Sequence, residues 1–190
     1  MKISLGAQPI AYPLPVFVIG TYDTNGKADA MVAAWGGICA SEPPCISVTI
    51  NPNHQTFKNI QETKAFTVSI PDRQHMKETD YCGMVSGKDR DKFQDTGLTP
   101  VRAEHVSAPY AGEFPVVLEC RLFDIHEIGT ARQIIGEIVD VKIEEAVLGY
   151  DRKPDLQKIG AFAFDVMKME YYSLGTPIGK AWDAGKKFKQ

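Results

Sequence analysis

Short β-rich segments joined by turn signals constrain the fold of this chain more than any other feature. Segments 45–51 and 65–71 alternate apolar and polar residues, and a period of two is typical of strands that bury one face. Segment 16–22 is also β-rich and is followed by Asn25-Gly26, which is a strong signal for a two-residue hairpin turn. A second strand after this turn completes a predicted hairpin.

Two longer strands are predicted in the second half of the chain. The residues expected to share one face are Val116, Leu118, Cys120 and Leu122 in the first, and Ile135, Val139, Val141 and Ile143 in the second. Segments 161–166 and 169–174 are shorter β-rich runs. Because about seven strands follow in hairpin-like succession, the sequence predicts an antiparallel β-barrel rather than βαβ units.

Helices are few and short in this prediction. Asn53 is a plausible N-cap for a helix whose apolar stripe contains Phe57 and Ile60. The other helix-compatible pieces are 73–81, 89–95 and 155–159. The predicted fold class is therefore mainly β with short helices, an α+β arrangement around a β-barrel.

Length, charge and cysteine usage exclude several classes of protein. A chain of 190 residues fits one domain over 1–190, with a core at about 10–175 and a tail at 176–190. The formal net charge of -3 gives no basis for nucleic acid binding. No apolar run approaches the roughly 20 residues of a membrane span, and no signal peptide is recognisable. The four cysteines form no CxxC pair and the four histidines have no metal-ligand spacing. We therefore expect a cytoplasmic protein with free thiols, no metal, and neither nucleic acid nor membrane as partner.

The stretch from Lys27 to Ile50 carries the strongest indication of function. Trp35 lies there in a run of small residues beside Gly36 and Gly37. Small side chains and glycine let a flat ligand approach the backbone, and an indole ring beside exposed backbone suits a wall against a planar molecule. A tryptophan that only packs in the core is about equally compatible with the pattern.

Two other places in the sequence could hold an anion. Residues 83–89 are not a P-loop, because the glycine spacing is one residue short and an aspartate replaces the required Ser or Thr. A Gly-rich turn near Lys88 and Lys92 could still hold a phosphate, although spacing alone favours an ordinary turn. His54 and Thr56 open the predicted helix, where free amides suit an anion, although a plain N-cap is the favoured alternative.

Several short motifs occur in a specific order along the chain. They are Ala30-Met31-Val32-Ala33-Ala34-Trp35-Gly36, Ser41-x-Pro43-Pro44, Thr56-Phe57-x-Asn59-Ile60, Phe66-Thr67-Val68-Ser69-Ile70, Ser86-Gly87 with Asp91-Lys92-Phe93, and Gly136-Glu137. Together they resemble the flavin reductase-like family of FMN-binding split barrels, and within it the flavoredoxins. The resemblance implies an antiparallel Greek-key split barrel that binds FMN near the subunit interface of a homodimer.

By position, the resemblance also implies a flavin site built from separate parts of the chain. The residues implied near the isoalloxazine ring are Asp29, Ala33, Ala34, Trp35, Gly36, Gly37 and Ile38. Those implied for the ribityl chain and phosphate are Cys39, Ala40, Ser41, His54, Thr56, Ser86, Gly87 and Lys92. No side chain is an obvious acid or base, so we expect no catalytic residue.

Two positions depart from the family pattern. Members often carry Asn at the position of Asp29, and a carboxylate lacks the N–H donors that could contact a flavin carbonyl. Relatives commonly have His at the position of Ala131, and Arg132 beside it is expected to point to the other face of the strand. If that histidine positions nicotinamide or tunes the flavin in relatives, this protein does so with another residue or not at all.

These features imply an FMN-binding redox protein whose flavin carries the electrons. One version is an electron carrier that exchanges electrons with a redox protein partner. A second version is a reductase in which NAD(P)H reduces the flavin, and the missing histidine makes this version less favoured. The alternative from another class is a non-enzymatic flavin-binding or interaction barrel without redox turnover.

Overall fold

The computed structural model describes residues 1–189 and is dominated by strands. The strands are β1 (Leu14–Pro15), β2 (Phe17–Tyr22), β3 (Ala28–Ala33), β4 (Gly36–Ser41), β5 (Pro44–Ile50), β6 (Ala65–Ile70), β7 (Pro100–Arg102), β8 (Pro109–Ala111), β9 (Val116–Ile128), β10 (Ala131–Ile143), β11 (Phe162–Asp165) and β12 (Glu170–Ser173). The α-helices are α1 (Gln55–Thr63), α2 (Met76–Met84), α3 (Lys92–Thr96) and α4 (Leu156–Ile159). Short 3₁₀ turns lie at Arg73–His75, Glu145–Val147 and Lys186–Phe188.

Seven strands form one antiparallel sheet in the order β3-β2-β6-β9-β10-β5-β4. Strands β5 and β6 are consecutive in the chain but are separated in the sheet by β9 and β10, so the connection through α1 crosses the barrel as in a Greek key. The outer strands β3 and β4 are linked through Ala34 and Trp35, and the Thr49 amide donates to the Trp35 carbonyl at 2.7 Å. The predicted antiparallel barrel is thereby confirmed, with its split between β3 and β4.

The apolar residues predicted to face the core on β5 and α1 do so in the structure. Ile46, Val48 and Ile50 are all buried, and they pack in one cluster with Phe57 and Ile60 of α1. Burying each of these side chains contributes about 1.5–3 kcal/mol. The same packing fixes α1 across one end of the barrel, directly after β5.

Strand β10 buries the face that its sequence suggested only in part. Ile134 is buried and Ile138 packs against the core, whereas Val141 is half exposed. The pairing of β10 with β9 shifts register between Ile135 and Gly136 and again after Ile138. The unpaired residues are Phe123 on β9 and Val139 on β10. Because Val139 interrupts the period of two, Ile134 and Ile138 face the core before it, and Ile143 of the predicted face packs against the core after it.

The hairpin between β2 and β3 is also longer at its tip than predicted. Tyr22 pairs with Ala28, which leaves residues 23–27 as the loop. The Asp23 carboxylate accepts the backbone N–H groups of Asn25 at 2.9 Å and Lys27 at 2.8 Å. Gly26 has a φ of 80°, a left-handed value that glycine adopts at little cost.

Of the helices within residues 1–189, none is both long enough and apolar enough to cross a membrane.

Candidate functional site

Two adjoining cavities meet at Met31, Val32 and His54, near the point where β5 leads into α1. The Thr56 cavity has a volume of about 250 Å³ and is lined by Asp29, Met31, Val32, Asn53, His54, Gln55, Thr56, Cys82, Gly83, Met84, Val85, Ser86, Gly87 and Lys92. The Trp35 cavity has a volume of about 490 Å³ and is lined by Met31, Val32, Ala33, Ala34, Trp35, Thr49, Ile50, Asn51, His54, Thr130 and Ala131. The two cavities therefore lie side by side, and we refer to them together as the groove.

The structure gathers most of the predicted site residues along this groove. The Thr56 cavity is bounded by the start of β3, the start of α1, the loop after α2 and the start of α3. The predicted residues there are Asp29, His54, Thr56, Ser86, Gly87 and Lys92, and those at the Trp35 cavity are Ala33, Ala34 and Trp35. Segments far apart in sequence therefore converge at these two cavities.

The remaining predicted site residues line neither of these two cavities. Gly36, Gly37 and Ile38 line a third cavity of about 560 Å³, between β4 and the N-terminal segment 8–14. This third cavity adjoins the Trp35 cavity, because Trp35 and Thr49 line both. Cys39, Ala40 and Ser41 are exposed and line none of these three cavities. Strand β4 runs from Gly36, opposite Val48, to Ser41, opposite Pro44, which is roughly 17 Å at the usual rise per residue. The second half of β4 therefore leads away from Thr56. Cys39, Ala40 and Ser41 do not lie at the Thr56 cavity of the same chain.

Helix α1 begins at the Thr56 cavity, which His54, Gln55 and Thr56 line. Its N-cap is His54, whose side chain makes no capping hydrogen bond. The predicted cap, Asn53, is wrong by one residue, and its own amide donates to the Asn51 carboxamide oxygen at 2.9 Å. Thr56 is 1% exposed and lies in the first turn. The uncapped amides and the positive end of the helix dipole suit an anion here.

The imidazole of His54 lies where the two cavities meet. Partial burial of the ring, followed by the charges of Lys92 and Lys88, lowers the pKa of His54 from its usual value. The neutral ring is therefore favoured at neutral pH. An anion bound nearby would oppose this effect.

Lys92 is a buried cation that already has three protein partners. It is 3% exposed, and its ammonium lies 3.3 Å from Oδ1 of Asp29. It also donates to the carbonyl oxygens of Ala30 and Cys82, the latter at 3.1 Å. An ammonium has three N–H donors, so in this arrangement Lys92 acts on the cavity through its charge rather than through a free N–H.

Asp29 is covered by the loop that follows α2. It is 7% exposed, and within residues 1–189 neither carboxylate oxygen has a hydrogen-bond partner. A Cβ built on Gly87 would overlap the Asp29 carboxylate, so only glycine lets the loop lie this close. Lys92 is thus the group that offsets the charge of Asp29.

The Trp35 cavity has a different character from the Thr56 cavity. Trp35 is 48% exposed, and the side chains beside it, Ala33 and Ala34, are small. Ala131 also lines this cavity. Arg132 pairs with Glu127 at 2.9 Å and donates to the Ala131 carbonyl at 3.0 Å. Arg132 therefore does not replace the histidine in the cavity.

Several lining residues were missed from the sequence. Met31 and Val32 lie between Asp29 and Ala33 on β3, and this position between two predicted site residues was a usable signal. Residues 82–85 at the end of α2 gave no such signal, because the surrounding polar region has no clear period. Burial raises the pKa of Cys82 to about 11, so its thiol is not a reactive thiolate.

Residues 10–155 match the flavin reductase like domain family. The chain belongs to this family. Two solved flavoredoxins have the same fold as this flavin reductase-like protein. The flavoredoxin of Desulfovibrio vulgaris (Miyazaki F) has a TM-score of 0.94 and 46% identity, covering 97% of this chain and 100% of that chain. The flavoredoxin from Methanosarcina acetivorans has a TM-score of 0.92 and 32% identity, covering 99% of each chain.

An uncharacterized protein from Aeropyrum pernix is a more distant relative. It is 30% identical to this flavin reductase-like protein over 138 residues, or 72% of this chain. The match spans about half, 52%, of the Aeropyrum protein. The predicted membership of the flavin reductase-like family and its split barrel are confirmed by these likenesses.

Proposed function

We propose that the joined Thr56 and Trp35 cavities bind FMN and that the protein transfers electrons through it. The observation that carries the proposal is the junction at Met31, Val32 and His54. It connects a polar cavity at a helix N-terminus with a cavity walled by small residues and an indole ring. Such a groove suits a ligand with a phosphate at one end and a flat ring at the other. When bound, the flavin would supply the redox chemistry.

The residues present fit FMN in both parts of the groove. The Thr56 hydroxyl and the first amides of α1 would hold the phosphate, and Gly87 keeps the loop free of a side chain at the floor. Ala33 and Ala34 leave room for the ring, while Trp35 would shield it from water. The buried Asp29–Lys92 pair also lines the Thr56 cavity.

A homodimer is the predicted assembly, and the second half of β4 is the surface that we propose it covers. Ile38 is 68% exposed there, and Cys39, Ala40 and Ser41 are exposed beside it. A second copy on this face would remove apolar surface from water. The mass of the purified protein in light scattering tests this assembly, and a monomer at micromolar concentration would contradict it.

Within this function we favour an electron carrier that works with a redox protein partner. Ala131 offers no hydrogen-bond donor to a nicotinamide carboxamide, and Arg132 is held by Glu127. We therefore expect slow oxidation of NADH or NADPH by the FMN-loaded protein. Rapid turnover with added free FMN would contradict the carrier and support a flavin reductase.

The pKa of His54 provides a local test of where the phosphate lies. Burial and the nearby lysines lower this pKa in the free protein, and a bound phosphate supplies the opposite charge. We expect FMN to raise the pKa of His54, and riboflavin to leave it lower, in an NMR titration of the histidine side chains. His126, which pairs with Asp124 at 3.4 Å on β9, is the control and should not respond. Equal effects of FMN and riboflavin on the pKa of His54 would contradict the placement of the phosphate at the start of α1.

A flavin fluorescence titration tests the function as a whole. We expect saturable quenching by the protein, with FMN binding more tightly than riboflavin. Binding of flavin without any reduction by chemical or enzymatic donors would favour the non-enzymatic barrel. Failure to bind either flavin would contradict the proposed function.

A further inference from the structure

Asp29 and Lys92 form a buried ion pair in the lining of the Thr56 cavity, and we call this part of the lining its floor. Both residues are more than nine-tenths buried, and the ammonium and Oδ1 are 3.3 Å apart. Neither Asp29 oxygen has a hydrogen-bond partner among the described residues. The pair is therefore held by charge, in a place where water screens little.

A second lysine near the cavity, Lys88, belongs to the loop that follows α2. Lys88 is exposed, and its ammonium donates to the Asn53 carbonyl at 3.1 Å. His54 is neutral at ordinary pH, because burial and the two lysines lower its pKa. Solvent screens Lys88, so the one buried cation at the floor is Lys92, and Asp29 cancels its charge.

We propose that Asp29 sets how strongly this cavity distinguishes a phosphorylated flavin from an unphosphorylated one, by neutralising Lys92. With the carboxylate present, a phosphate meets hydroxyl and amide donors but little net positive charge. An uncharged residue at the same position leaves the charge of Lys92 unbalanced and attracts the phosphate. The inference rests on the proposed binding of FMN and assigns Asp29 as the residue that determines this specificity.

The substitution Asp29→Asn tests the proposal, because it removes the charge and nearly keeps the shape. We expect FMN to bind on the order of tenfold more tightly to D29N than to the natural protein, with riboflavin changed less than about twofold. The affinity for FMN should also become more sensitive to salt. Fluorescence titration with both flavins, at low and high ionic strength, measures these effects.

Asp89→Asn is the matched control. Asp89 is an exposed carboxylate in the same loop region as Gly87, and its loss changes the net charge of the protein equally. We expect D89N to leave the ratio of FMN to riboflavin affinity within about twofold, because water screens its charge. An equal rise in D89N and D29N would overturn the proposal, as would a fall or no change in the ratio for D29N.

The double variant D29N/K92M provides a second test, which still applies if the single variant D29N does not fold. The cavity floor of this variant has no net charge, as in the natural protein. Its ratio of FMN to riboflavin affinity should therefore match that of the natural protein within about twofold. A tenfold drop would show that Lys92 already attracts the phosphate, and this would overturn the neutralising role. If the natural protein binds neither flavin, the proposed function fails. If it binds both and the ratio is insensitive to Asp29, only this inference fails.

Discussion

Replacing Lys92 by methionine is expected to lower the free energy of unfolding by about 3–5 kcal/mol, because it leaves a buried carboxylate unpaired. Lys92 is 3% exposed and its ammonium is 3.3 Å from Asp29. Within the described residues no hydrogen bond reaches either Asp29 oxygen, so no other donor takes over. Methionine keeps much of the length of the side chain, so the loss combines the charge with the two hydrogen bonds to the carbonyl oxygens of Ala30 and Cys82. Urea unfolding of the natural protein and K92M measures it.

Two controls separate the charge effect from a packing effect. The double variant D29N/K92M should recover most of the lost stability, because it removes the unpaired carboxylate as well. Lys88→Met removes an exposed lysine nearby and should change the stability by less than about 1 kcal/mol. If K92M unfolded with the natural free energy, or if the double variant were no more stable than K92M, the role of the buried pair would be refuted.

Replacing Thr56 by valine is expected to weaken FMN binding by about 1.5–3 kcal/mol, the usual value of a hydrogen bond to a charged group. Thr56 lies 1% exposed in the first turn of α1 and lines the cavity. Its hydroxyl is assigned to the phosphate together with the uncapped helix amides. Riboflavin has no phosphate, so its affinity should change little. Titrations of T56V with both flavins give the two values.

Thr79→Val is the matched control for this substitution. Thr79 is buried on α2, and its hydroxyl has no hydrogen-bond partner among residues 1–189. It does not line the Thr56 or Trp35 cavity. T79V should therefore leave both flavin affinities unchanged. Equal losses of FMN and riboflavin affinity in T56V would contradict the assignment of the Thr56 hydroxyl to the phosphate.

Strands with regular alternation were predictable from the sequence, whereas strands without it were not. Ile46, Val48 and Ile50 alternate, and all three are buried on β5. Strand β4 was not predicted, because its residues GGICAS carry no apolar period and it ends at a proline-rich turn. It forms by pairing with β5, and such pairing is a tertiary contact that local sequence does not specify. The register shifts between β9 and β10 were not predicted for the same reason.

The candidate site was predictable where a motif carries its own local chemistry. The start of α1 at His54 and Thr56 is an example, because a helix N-terminus suits an anion wherever it lies. The pairing of Asp29 with Lys92 joins residues that are 63 positions apart, and only the fold brings them together. Lys92 was expected to contact the phosphate, and the structure directs its ammonium at Asp29 and two carbonyl oxygens instead. Sequence reasoning thus located this residue but not its partners.

The most direct test of the central claim is the visible absorbance spectrum of the protein after incubation with FMN and removal of free flavin. We expect the protein to retain a flavin absorbance band that bleaches when a reductant is added and returns in air. T56V should retain less flavin under the same washing than the natural protein. A colourless protein after reconstitution would contradict the account, since the joined cavities would then not be an FMN site.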